Sequence, residues 1–132
     1  MLTKKGFVLT QVPLMLRRKP YEGAVDLNDF ETMMYKIDQE DLYLIATSEH
    51  ALAAMYSDYI FNENDLPKKL VGLSQCFRKE IGSHGIDERG LFRTHQFNKI
   101  EMIVICDPKD SENFFKEMQD ITVEIFKGLE VP

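Results

Sequence analysis

Two β-prone runs separated by a glycine-rich interval constrain this chain more than any other feature. The first, residues 69–80, closes on Cys76-Phe77-Arg78-Lys79-Glu80. The second, residues 93–106, opens on Arg93-Thr94-His95-Gln96-Phe97-Asn98-Lys99-Ile100-Glu101 and closes on the strongly β-prone Ile103-Val104-Ile105. Between them Gly82, Gly85 and Gly90 mark residues 81–92 as a loop. Two consecutive strands joined by one loop form a hairpin, and hence an antiparallel pair. Alternation then puts Arg78 and Glu80 on one face, and Arg93, His95, Phe97, Lys99 and Glu101 on one face of the partner strand. The four-residue spacing of Arg93, Phe97 and Glu101 also fits one side of a helix. The β-branched run that follows, and the hairpin, favour the strand.

Such a row of groups has a chemical reading and a bland one. Arginines bind phosphates bidentately, an aromatic ring stacks on a base, and a carboxylate holds an ammonium group. Together they suit a site that brings an amino acid and a nucleoside triphosphate to one place. The bland alternative is a solvated sheet face laced with Arg–Glu pairs.

The rest of the chain fills in an α+β pattern. Residues 1–6 read as the last turn of a helix, with Lys4 and Lys5 before the terminator Gly6. Residues 7–12 are β-prone and Pro13 interrupts them. Residues 20–28 read as loop and residues 42–46 as a short buried strand. Thr47 or Ser48 then caps a helix with the apolar stripe Leu52, Met55, Tyr56, Tyr59 and Ile60. Residues 62–67 form a turn. After the hairpin, Asp107-Pro108 breaks the strand, and Ser111 caps a final helix ended by Gly128. That helix is expected to turn Phe114, Phe115, Met118, Thr122, Ile125 and Phe126 inward. Strand, strand, helix, hairpin, helix predicts an antiparallel sheet flanked by helices rather than a parallel nucleotide fold.

Composition narrows the classes. With 132 residues the chain is one domain or part of one, and 44% apolar residues suffice for a core. A formal charge of -6 argues against a surface that grips nucleic acid throughout. The basic group Lys4, Lys5, Arg17, Arg18 and Lys19 reads as solvated surface. Cys76 and Cys106 stand in apolar contexts and suggest no disulfide framework, so a reducing, cytoplasmic setting is expected. No signal peptide and no membrane span is discerned. The spacings of His50, His84, His95 and the cysteines match no zinc pattern, so no metal ligand is predicted. Opening on a helix end and stopping just after a helix, the chain reads as a piece of something longer.

One segment makes a family resemblance specific. The stretch Cys76-Phe77-Arg78-Lys79-Glu80-Ile81-Gly82-Ser83, then Gly85-Ile86-Asp87, then Arg89-Gly90-Leu91-Phe92-Arg93-Thr94-His95-Gln96-Phe97-Asn98-Lys99-Ile100-Glu101 resembles motif 2 of class II aminoacyl-tRNA synthetases, and the seryl-tRNA synthetases in particular. Leu44-Ile45-Ala46-Thr47-Ser48-Glu49-His50 resembles that family's Thr-x-Glu serine-binding stretch. Gly6-Phe7 and Val12-Pro13-Leu14 resemble motif 1, whose proline sits at the dimer interface. Arg17-Arg18-Lys19-Pro20-Tyr21-Glu22-Gly23 and Tyr35-Lys36-Ile37 look closest to the archaeal and eukaryotic-like branch. The likeness runs over residues 6–132.

The resemblance implies a set of roles. Arg78, Glu80 and Arg93 would be the catalytic residues. Arg78 would bind the α-phosphate of ATP and the serine carboxylate, Glu80 would hold Arg78 and face the nucleotide, and Arg93 would contact the outer phosphates. With Lys79, the ring of Phe97 and the backbone of Thr94 would complete the ATP site. Thr47, Ser48, Glu49, Arg78 and Glu101 would bind L-serine, and Mg2+ would bridge phosphates. The loop over residues 81–92 would move to receive ATP or the acceptor end of tRNA(Ser). A homodimer through motif 1 is implied.

The family pattern also continues beyond what is present. Motif 3, the later Mg2+ carboxylates and the N-terminal tRNA-binding arm are missing. The chain therefore reads as a partial catalytic domain over residues 1–132, weakly active or inactive alone, with exposed apolar sheet edges. Competing readings are a synthetase-like ligase charging a carrier protein and a non-catalytic binding or dimerisation module.

Overall fold

Backbone chemistry sets the first turn. Lys4 and Lys5 close a 3-10 turn, Leu2–Lys5, and Gly6 stops it at φ 85°, a left-handed conformation that costs glycine little. The structure is a computed structural model that describes residues 1–80 and 93–131. The loop expected over residues 81–92 lies outside the described residues.

Strand β1 (Val8–Thr10) precedes Pro13, and β2 (Met15–Leu16) follows it. Two short helices, α1 (Arg18–Glu22) and α2 (Leu27–Phe30), occupy much of the stretch expected as loop. Pro20 misled that expectation. It sits in the first turn of α1, where a missing N–H leaves no bond unmade. Asp26 caps α2 by accepting from the Asn28 N–H at 2.9 Å.

Next come β3 (Tyr43–Leu44), α3 (Ser48–Ala54), β4 (Lys68–Phe77), β5 (Gln96–Ile105) and α4 (Ser111–Gly128). The predicted hairpin is present: β4 and β5 pair antiparallel from Lys68 opposite Ile105 to Phe77 opposite Gln96. Both strands are shorter at the loop end than expected, since Arg78, Glu80, Arg93 and His95 lie beyond them. β1 joins the other side of β4 as a parallel strand, Val8 opposite Leu70, giving the order β1-β4-β5. The α-helical crossover between β1 and β4 makes a parallel pairing feasible. β2 and β3 form a separate antiparallel pair. The fold class is α+β, as predicted.

The sheet has two faces. Leu70, Gly72, Ser74 and Cys76 stand opposite Ile103, Glu101, Lys99 and Phe97, and this face meets α3. On the other, Val71 packs with Phe7 and Ile121, supported by Met102, Val104, Met118 and Ile125. A second core joins Tyr21, Leu27, Met34, Tyr43 and Ile45. Leu9, Leu73 and Ile100 remain exposed.

Two helices differ from expectation. α3 ends at Ala54, so Met55, Tyr59 and Ile60 are exposed rather than core. Asp58 takes φ 60°, and Tyr56, Tyr59 and Phe61 pack on one another in edge-on and tilted contacts instead, with centroids 4.8 to 6.0 Å apart. In α4 the sheet-facing stripe is Met118, Ile121 and Ile125, while Phe115, Thr122 and Phe126 face outward. The helix rotates to bury Ile121, which leaves the flanking rings outside. Asp110, not Ser111, stands at its N-cap position, without a side-chain bond.

Helix α3 approaches β4 closely at Gly72. A Cβ there would lie 2.9 Å from Ser48 Oγ, 3.0 Å from Ser48 Cβ and 3.2 Å from Leu52 Cδ1. Ser48 and Leu52 are fully buried and have nowhere to go. Gly72→Ala is expected to lower unfolding stability by about 1–3 kcal/mol, the usual cost of overpacking. Denaturant melts of the two chains check this, and an unchanged midpoint would show that α3 can shift.

Candidate active site

The inward face of β5 carries Phe97, Lys99 and Glu101, all half-buried, while Asn98 and Ile100 point away and are exposed. Phe97 and Glu101 stand four residues apart, about 14 Å along a strand. The site is built between them.

Arg78 follows β4 and turns back over this face. Its backbone N–H donates to the His95 carbonyl at 3.0 Å, extending the hairpin by one bond. Its Nε donates to the Ala46 carbonyl at 3.2 Å, and its guanidinium carbon lies 5.2 Å from the Phe97 ring centroid. One side chain thus links the aromatic end of the face to the segment that leads into α3. Ala46 itself is held in place because the Phe77 N–H donates to the neighbouring Ile45 carbonyl at 2.8 Å.

At the other end Thr47 caps α3 and does more. Its Oγ1 donates to Glu101 Oε2 at 2.9 Å and accepts from Lys99 Nζ at 3.0 Å and from the Glu49 N–H at 3.3 Å. A hydroxyl has one donor and two acceptor positions, so all are used. Lys99 Nζ also pairs with Glu101 Oε2. Thr47, Lys99 and Glu101 therefore form a closed polar cluster on the half-buried face.

His50 lies beneath this cluster. It is buried, with its ring edge-on to Tyr21 at 5.1 Å, and its Nδ1 finds no hydrogen-bond partner among the described residues. Burial pushes its pKa down, and the nearby Lys99 and Arg78 charges push the same way. A neutral imidazole below two cations adds no further positive charge.

The predicted residues separate into those that converge and those that do not. Arg78, Phe97, Thr47 and Glu101 share the face. Ser48 does not: its side chain is fully buried against Gly72. Once Thr47 takes the cap position, the next side chain turns towards the sheet. Glu49 is exposed and enters the cluster only through its backbone N–H. Glu80, expected to hold Arg78, instead accepts from Arg93 Nη1 at 2.9 Å. Thr94 is exposed, its Oγ1 donating to the Gln96 carbonyl at 2.9 Å. The Lys79 N–H donates to the Met33 carbonyl at 2.8 Å, and its ammonium lies 5.9 Å from the Tyr35 ring centroid.

Three neighbours of the site had no role assigned from sequence. Tyr35 bonds through its hydroxyl to His95 Nδ1, a contact across sixty positions that no local pattern signals. His50 looks like any helix residue in sequence. Lys99 was visible, since it alternates with Phe97 and Glu101, yet its bond to Thr47 was not. Among the described residues no three His, Cys, Asp or Glu side chains converge into a metal site, and no helix is long and apolar enough to cross a membrane.

Comparison with known proteins bears on this arrangement. The model of the family described as tRNA synthetase class II core domain (G, H, P, S and T) matches residues 31–132. The serine–tRNA ligase of Methanospirillum hungatei JF-1 is 56% identical over 131 residues, which are 99% of this chain and 31% of that protein. A crystal structure of seryl-tRNA synthetase from Pyrococcus horikoshii complexed with ATP superposes with TM-score 0.91 at 44% identity, covering 98% of this chain and 29% of that one. A cytoplasmic serine–tRNA ligase from Naegleria fowleri, in complex with AMP, gives TM-score 0.86 at 40% identity, over 96% of this chain and 30% of that one. The chain thus spans about a third of the curated relatives it matches.

Proposed function

We propose that this chain, which belongs to the class II tRNA synthetase core-domain family, forms the motif 1 and motif 2 part of a seryl-tRNA synthetase catalytic domain. The parent reaction has two steps. The serine carboxylate attacks the α-phosphorus of ATP, giving seryl-adenylate and pyrophosphate. The seryl group then passes to the 3′ end of tRNA(Ser), releasing AMP.

The observation that carries this reading is the place of Arg78 on the β5 face, between the Phe97 ring and the Thr47–Glu101 cluster. Adenine stacks on Phe97, the serine ammonium and hydroxyl lie between Thr47 and Glu101, and the reacting carboxylate and α-phosphate meet at Arg78. The guanidinium fork matches two anionic oxygens and stabilises the charge that builds during attack. Arg93, paired with Glu80 at the mouth of the hairpin, takes the outer phosphates, and Lys79 and the Thr94 backbone flank the nucleotide. No side-chain nucleophile is needed: alignment and charge stabilisation do the chemistry. Likeness to a synthetase crystallised with ATP and to another with AMP supports the nucleotide half. Identity of about half to serine–tRNA ligases supports the amino-acid half.

The expected Mg2+ is proposed as a companion of the ATP phosphates. Among the described residues no three His, Cys, Asp or Glu side chains converge to hold it, so the phosphates themselves would carry it. A homodimer through the segment around Pro13 and a cytoplasmic location complete the proposal.

The test is pyrophosphate exchange into ATP. It is measured on this chain alone and on a completed enzyme, in which the chain replaces the matching stretch of the Methanospirillum hungatei relative. Exchange that requires L-serine is expected from the completed enzyme, with little or none from the chain alone. Exchange driven equally well by L-alanine or L-threonine would overturn the serine assignment.

A further inference from the structure

Lys99 is a cation placed where a ligand cation is needed. An ammonium group has three donors, and Lys99 Nζ directs two of them at Thr47 Oγ1, 3.0 Å away, and at Glu101 Oε2. Those two oxygens are the ones assigned above to the substrate ammonium. Thr47 Oγ1 cannot accept a further bond in this state. Its donor goes to Glu101 and its two acceptor positions go to Lys99 and to the Glu49 N–H. The Glu49 bond belongs to the helix cap and is fixed by the backbone. The Lys99 bond sits on a flexible four-carbon stem, and the Lys99 side chain keeps 31% of its exposure. Of the two, Lys99 is the one that can leave.

We propose that Lys99 is an internal occupant of the amino-acid ammonium site, and that the substrate binds by displacing it. The inference rests on the reading of Thr47 and Glu101 as the ammonium site. Charge supports it: an empty, half-buried carboxylate beside a saturated hydroxyl is poorly solvated, and Lys99 neutralises it until a ligand arrives. A ligand with no ammonium group has no means to replace Lys99. The contact is therefore a filter for free amino acids over N-blocked ones.

The experiment is an NMR titration of the full chain with L-serine, following the backbone amides of Thr47 and Glu101 and the 15N-labelled Lys99 Nζ. N-acetyl-L-serine serves as the control ligand. Lys99→Met keeps the stem and removes the competitor. It is expected to bind serine roughly three- to tenfold more tightly, as when an occupant that fills a site about 70–90% of the time is removed. Lys99→Arg, whose planar fork grips a carboxylate more firmly, is expected to bind serine more weakly than wild type. A merely structural role cannot produce the tightening, because loss of a supporting contact loosens a site. If Lys99→Met and Lys99→Arg both match wild type, or if Lys99→Met binds more weakly, the inference is overturned. A Glu101→Gln chain separates the two levels. Serine binding lost in Glu101→Gln but untouched in Lys99→Met sinks the displacement alone. Binding untouched in Glu101→Gln, or no serine-dependent shift in any chain, removes the ammonium site and the inference with it.

Discussion

Arg78→Ala in the completed enzyme is expected to lower serine-dependent exchange by about a thousandfold or more, the scale seen when a guanidinium that stabilises a phosphoryl transition state is lost. The reason lies in where the side chain sits. Its Nε donates to the Ala46 carbonyl and its guanidinium carbon lies 5.2 Å from the Phe97 ring centroid, which fixes the direction of the head over this face. That pre-set direction is what an attacking carboxylate and a phosphate need. Alanine leaves neither charge nor fork, and among the described residues no other arginine is placed to replace it, since Arg93 is engaged by Glu80 at the hairpin mouth. The fold should survive. The variant loses one hydrogen bond and one cation–π contact, together about 1–2 kcal/mol, against a stability of about 5–15 kcal/mol for a typical domain. Thermal melts and exchange rates on the same preparation separate the two effects. Exchange near the wild-type rate would remove Arg78 from the chemistry. Arg78→Lys, which keeps the charge and loses the fork, should fall between the two.

The parts of this fold legible in the sequence are those set by local chemistry. The β-branched run Ile103-Val104-Ile105 and the glycines between the strands gave the hairpin, and strand alternation put Phe97, Lys99 and Glu101 on one face. Gly6 announced its own left-handed turn. What failed depends on partners distant in sequence. The parallel pairing of β1 with β4 is a choice among sheet edges that no local pattern encodes. α3 ends early, and beyond it three rings, Tyr56, Tyr59 and Phe61, pack on one another, a cluster that helical periodicity does not signal. In α4, Ile121 decided the buried stripe, and periodicity alone could not rank it above Phe115 and Phe126.

The site divides in the same way. Its strand residues were legible because alternation is rigid. That Ser48 is buried was not legible, because a cap residue and its neighbour look alike in sequence, whereas only one of them points outward. The exchange of partners at the mouth, Glu80 with Arg93 rather than with Arg78, reflects where the chain leaves the strand. Glu80 has φ 52°, so the alternation that would have put it beside Arg78 no longer holds there.

The second large effect belongs to the other end of the face. Glu101→Gln in the completed enzyme is expected to raise the KM for L-serine by roughly 30- to 100-fold, as a charged hydrogen bond to an ammonium becomes a neutral one. The glutamine has the same shape, so Thr47 can still donate to its carbonyl oxygen, and α3 keeps its cap through the Glu49 N–H. What changes is the charge, together with an NH2 group that can turn two donors towards a cation. The pair with Lys99 is lost as well; its side chains are only 31% and 19% exposed, so stability is expected to fall by about 1–3 kcal/mol, which a thermal melt reads separately from KM. Because Phe97 lies about 14 Å away along the strand, the KM for ATP should stay near its wild-type value. That split is the diagnostic outcome: a defect confined to serine places the ammonium at Glu101. An equal rise in both constants would mean that the substitution has distorted the whole face, and an unchanged serine KM would move the amino-acid pocket off β5 altogether.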